Sequence, residues 1–109
     1  MTSNYKPEFA KTIINLKNAI DYQENSIVSK VFITEEQTSI TLFAFDEGQA
    51  IDTHSAPVEA LVQVIEGEVE IEISGQKYDL KEGEIILMPK GEPHALKAKT
   101  KFKMLLFKV

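Results

Sequence analysis

The chain contains two histidines, His54 and His94, and no cysteine. Without a thiol, disulfides, thiolate metal sites and a cysteine nucleophile are excluded. Two imidazoles brought together can bind a transition metal through ring nitrogens, or act as polar anchors in a ligand pocket. A facial metal site needs a third donor, commonly a carboxylate. His54, His94 and Glu59 form the candidate metal set if Glu59 turns inward. The candidate ions are Fe, Mn, Ni and Zn. The plain alternative is a pair of histidines hydrogen-bonded within the fold. Thr53 and Ser55 flank His54. No Gly-x-Ser-x-Gly turn accompanies them and no Asp stands in an orienting place, so nucleophilic catalysis is not expected.

The elements that must position these residues are short and β-rich. Ile27–Ile33 and Thr38–Phe45 are dense in β-branched and aromatic residues, with a polar turn at Thr34–Gln37. Leu61–Ile65 is apolar except for Gln63, as in a strand covered on both faces. Val69–Ile73 alternates strictly, with Glu70 and Glu72 on its wet side. Ser74-Gly75 signals a hairpin into Gln76–Leu80. Ile85–Met88 reads as a short buried strand, and Pro89–Pro93 as a rigid loop delivering His94. His94–Ala98 and Phe102–Val109 read as the last strands. Many short strands punctuated by Gly and Pro predict an all-β sandwich or barrel. Ahead of them, residues 1–26 form an arm, with an apolar but irregular stretch at Phe9–Ile20.

Composition narrows the partners. A length of 109 residues fits one domain. The net charge is −5, and all twelve basic residues are lysines. Lacking arginine and carrying acidic charge, the chain is not expected to bind nucleic acid. No apolar run reaches membrane-spanning length and no signal peptide is visible, so a cytoplasmic protein without membrane association is expected. The lysines at 97, 99, 101 and 103 share parity and read as a solvated strand edge. Phe102, Met104 and Leu106 take the opposite, inward parity.

Gly83, Pro89, Gly91 and His94 follow the spacing Gly-x5-Pro-x-Gly-x2-His, and Gly48, His54 and Gly67 match parts of a second pattern upstream. The chain thereby resembles the cupin family, over Gly48 to Ala98. The resemblance implies a double-stranded β-helix, or jelly-roll barrel, over residues 27–109. It also implies an arm, residues 1–26, able to pack on a partner subunit, and a homodimer. Departures from the family pattern are specific. The second His position of the upstream motif is Ala56, its Glu position is Ala60, and the final Asn of the downstream motif is Ala98. Glu59 stands one residue out of step, and a bulge near Pro57 would be needed to turn it inward.

On simple alternation His54, Ala56, Ala60, Val62 and Val64 point into the barrel, while Glu59, Leu61, Gln63 and Ile65 point out. The expected pocket is then His54 and His94 on an aliphatic wall of Ala56, Ala60, Val62 and Val64, with Met88 and Met104 beside it. Gln63 and the outward Leu61 and Ile65 suit a subunit interface. The function expected is binding of a small-molecule ligand. The alternatives are a metal-dependent enzyme of dioxygenase, isomerase or decarboxylase type, and a non-catalytic sensor or auxiliary protein.

Overall fold

A computed structural model describes residues 5–109. Two antiparallel sheets face each other. The strands are β1 (Ile27–Glu35), β2 (Thr38–Phe45), β3 (Ala50–His54), β4 (Ala60–Glu66), β5 (Glu68–Ile73), β6 (Gln76–Lys81), β7 (Ile85–Met88), β8 (His94–Ala98) and β9 (Phe102–Lys108). One sheet has the order β1-β2-β9-β4-β7 and the other β3-β8-β5-β6. Among the described residues no helix is long and apolar enough to cross a membrane.

The alternation read in the sequence sets the inner faces. Val62 and Val64 on β4, Val69, Ile71 and Ile73 on β5, and Phe102 and Met104 on β9 are buried in one cluster between the sheets. Phe45 and Phe102 meet there at a centroid separation of 5.0 Å. Such a contact adds roughly 0.5–1.5 kcal/mol beyond area burial. The Ser74-Gly75 hairpin forms as expected: both residues have positive φ, and Ile73 pairs with Gln76.

Three expectations change. Ala50–His54 is a strand that its composition does not announce. The β1 strand runs on to Glu35, leaving a tighter turn before β2. The β7 strand is not covered on both faces: Ile85 is 60% and Leu87 51% exposed. It lies at the edge of its sheet.

The arm packs on the outer face of this chain's own five-stranded sheet. Ile20 is buried with Leu42, Ala44, Ile65 and Leu105. Phe9 meets Phe32 edge-on at 4.7 Å. Two sheet lysines clasp the 3-10 turn Leu16–Asn18. The Lys103 ammonium donates to the Lys17 carbonyl, and that of Lys30 donates to the Ala19 carbonyl. Lys103 also pairs with Glu66 at 3.6 Å, and the Tyr22 hydroxyl donates to the same carboxylate at 2.6 Å. Burial, then the bond to Glu66, pushes the Tyr22 phenol well above its ordinary range. Lys103 is therefore not part of a solvated edge. It is 6% exposed, because the arm, through the Lys17 carbonyl and the Tyr22 ring, closes over it.

Gly67, between β4 and β5, is the glycine whose backbone lies against another segment of the chain. Its φ is +80°, and a Cβ there would sit 2.0 Å from the Lys101 carbonyl oxygen. The contact is with backbone, so it cannot be relieved by a side-chain rotation. Gly67→Ala is expected to cost at least about 3 kcal/mol in urea unfolding. A cost below about 1 kcal/mol would show that this approach is not a fixed feature of the fold.

Candidate functional site

His54 and His94 come together. They are directly opposed on β3 and β8, and their rings meet edge-to-face with centroids 4.4 Å apart. The pairing depends on a β-bulge. Ile51 opposes Leu96 and His54 opposes His94, so β3 advances three residues while β8 advances two. Without the extra residue, Thr53 would oppose His94 and His54 would face outward. With it, Ile51 packs on the core and His54 shares the inner side with His94.

Each ring is held by its own strand. The Nδ1 of His54 lies 3.0 Å from the Asp52 carbonyl oxygen, and the Nδ1 of His94 lies 3.2 Å from that of Glu92. A carbonyl only accepts, so each Nδ1 carries the proton and each neutral ring keeps a bare Nε2 lone pair. His94 is 3% exposed, whereas His54 is open to solvent. The pair therefore stands where the barrel interior meets water. Burial lowers the His94 pKa below its usual 6.5, and the neighbouring His54 and the Lys108 ammonium lower it further.

The loop that delivers His94 is fixed from both sides. Gly91 N–H donates to the Ala56 carbonyl at 2.9 Å. Lys90 N–H donates to the Glu59 carboxylate at 2.7 Å. Ser74 N–H donates to the Pro93 carbonyl at 2.8 Å, and the Ser74 hydroxyl to Glu92 at 2.8 Å. Glu59 thus holds the loop by its backbone rather than turning toward the imidazoles. Among the described residues no three His, Asp or Glu side chains converge on one point. The structure brings together His54 and His94 and does not bring Glu59 to them.

Ala56, Ala60, Val62, Val64, Met88 and Met104 are all buried. All but Ala56 belong to the single inter-sheet cluster with Phe45 and Phe102. Leu61 and Gln63 are half-buried on the opposite, outer face, and Ile65 is buried there under the arm.

One site residue escapes motif spacing. The alternation Phe102, Met104, Leu106 carries Lys108 onto the inner face. An inner row runs Ser39, Lys108, Ala60, Met88 across β2, β9, β4 and β7. Lys108 is half-buried and, among the described residues, forms no ion pair. It lines an open cleft of about 320 Å³ together with Ser39, Thr34, Ala56 and Pro57. Extending the inward parity of β9 by one step would have found it.

Comparison with known proteins agrees with this architecture. The family model described as the cupin domain matches residues 41–108, and the chain belongs to that family. A conserved protein of unknown function from Streptococcus pyogenes is 33% identical, with a TM-score of 0.93 over 99% of this chain and 95% of that one. A cupin superfamily protein from Desulfitobacterium hafniense is 25% identical, with a TM-score of 0.88 over 100% and 98%. Salicylate 1,2-dioxygenase from Pseudaminobacter salicylatoxidans shares the fold at 18% identity, with a TM-score of 0.70 over 75% of this chain and 26% of that one. No curated protein matches the chain in sequence.

Cupins commonly hold a metal, and the donors present here do not suit one. Two imidazoles would leave most of a metal's coordination shell to water. The two further ligand positions carry methyl groups, at Ala56 and Ala60. Glu59 is engaged elsewhere, by the Lys90 amide.

The His94 shift has a sign that can be tested. A buried imidazole with a lowered pKa binds its proton less readily in the folded chain than in the unfolded one. The stability this gives is complete above pH 6.5 and is lost as pH falls through the folded value. Urea midpoints between about pH 7.5 and pH 5 should therefore drop more for the wild type than for His94→Gln. Equal drops would contradict the assignment.

Proposed function

We propose that this protein is a small-molecule-binding cupin whose ligand is held at the His54–His94 pair. The supporting observation is the pair itself: two rings in contact, each fixed through Nδ1 to a backbone carbonyl, each leaving Nε2 free at the barrel mouth. Fixed polar groups beside an aliphatic interior are the make-up of a ligand site. Binding at two rigid acceptors needs no metal. The metal-dependent enzyme reading, with Fe, Mn, Ni or Zn at the same histidines, has no third protein ligand among the described residues to support it.

The binding unit is a homodimer. Across the outer face run the rows Phe107, Leu61, Leu87 and Leu105, Gln63, Ile85. The arm covers Leu105, while Ile85 and Leu87 are exposed and Leu61, Gln63 and Phe107 only half-buried. A second copy of the chain on this face would cover an apolar surface at the sheet edge and give the Gln63 amide a partner. A sensor or auxiliary role without chemistry is compatible with the same site, since fold alone does not choose among functions.

Native mass spectrometry of untagged protein, offered Fe, Mn, Ni and Zn at roughly micromolar levels, reads these claims together. The expected species is a dimer without stoichiometric metal, carrying a small organic adduct that His54→Ala loses. One retained metal per chain would support the metal enzyme instead. A monomer, or an adduct kept equally by His54→Ala, would contradict the dimer or the site respectively.

A further inference from the structure

The inner face of a β-sandwich is normally apolar, and one row of this sandwich is not. At the end of the five-stranded sheet Thr34 opposes Ser39, Ser39 opposes Lys108, and Lys108 opposes Ala60. Three successive positions of this row, on β1, β2 and β9, are therefore polar. All three side chains line the cleft of about 320 Å³ between the β1–β2 hairpin and the β3–β4 loop. That volume is at the lower end of the range for small-molecule pockets. Lys108 is half-buried and forms no ion pair among the described residues. Glu36, a carboxylate on the same lining, is exposed at the hairpin tip and does not pair with it. The Thr38 hydroxyl donates to the Glu35 carbonyl at 2.7 Å, whereas those of Thr34 and Ser39 have no protein acceptor among the described residues. The facing wall, Ala56, Pro57 and Val58, is apolar.

We propose that this cleft binds a short-chain aliphatic monocarboxylate. The carboxylate is held by the Lys108 ammonium and the Ser39 and Thr34 hydroxyls, and the hydrocarbon end lies against Ala56, Pro57 and Val58. A half-buried ammonium without an ion pair has lost part of its hydration and gains most from an anion. One positive charge and two hydroxyl donors match the single charge and the lone pairs of one carboxylate. A phosphate dianion would bring a second charge, and the cleft lining offers no second cation to meet it. Neither histidine lines the cleft, so this site stands apart from the His54–His94 reading and does not rest on it.

The test is titration of uniformly labelled, untagged protein at about pH 7.5 and constant ionic strength, followed through the backbone amide signals of Thr34, Ser39 and Lys108. The probes are butyrate, butyramide and inorganic phosphate, each up to about 10 mM. Butyrate should shift these signals and reach half-saturation within that range. Butyramide and phosphate should bind about tenfold or more weakly. Lys108→Met should lose about the same factor for butyrate, and Lys108→Arg should keep most of the affinity. The butyrate–butyramide comparison uses the unaltered chain, so it holds even where the Met variant folds poorly. No saturable shift with butyrate, butyramide binding as well as butyrate, or a folded Lys108→Met with wild-type affinity would overturn the site. Phosphate binding as tightly as butyrate would overturn the monocarboxylate assignment.

Discussion

The register of β3 against β8 governs how the two imidazoles meet. Ile51 must face the core opposite Leu96, and His54 must face His94. Strict alternation cannot satisfy both demands, because the two residues are an odd number apart. One bulge reconciles them. Its backbone also supplies the Asp52 carbonyl that fixes the His54 ring. The local departure from ideal pairing thus sets both the position and the tautomer of one half of the site.

The rest of the fold protects that arrangement. On β8, Leu96 and Ala98 continue the inner face that His94 begins, so the strand is held by the core for its whole length. The Pro89–Pro93 loop is tied to Ala56, Glu59 and Ser74, which limits how far His94 can swing. Glu59 accepts from the Lys90 amide of that loop. On the far side of the five-stranded sheet, Lys30 and Lys103 bind carbonyls of the arm, and Glu66 and Tyr22 complete the network. Charge there is used to hold an apolar arm in one place. On the inner row of the five-stranded sheet, Lys108 is a cation without such a partner among the described residues.

Much of this was legible in the residues, and the failures have physical causes. Strict alternation at Val69–Ile73 and the turn glycines gave the strands of the second half. The spacing of Gly83, Pro89, Gly91 and His94 gave the family and one imidazole. Ala50–His54 was not legible, because a bulged strand loses the period-two contrast that marks strands. The exposure of Ile85 and Leu87 was not legible either: an apolar run looks the same whether both faces are buried or one awaits a partner. Lys103 misled because its burial depends on where the arm lands, which its own strand does not encode. Glu59 accepts from the Lys90 amide, and no local signal distinguishes a metal ligand from a loop anchor.

The central claim is that both imidazoles are neutral, metal-free acceptors with Nε2 exposed to the mouth. Long-range proton–nitrogen correlation of the two rings, on untagged protein at about pH 8, reads this directly. The account predicts the Nδ1–H tautomer in both rings, with Nε2 at the shift of an unprotonated nitrogen. A dominant Nε2–H tautomer in either ring, or ring nitrogens shifted by a bound metal, would contradict it.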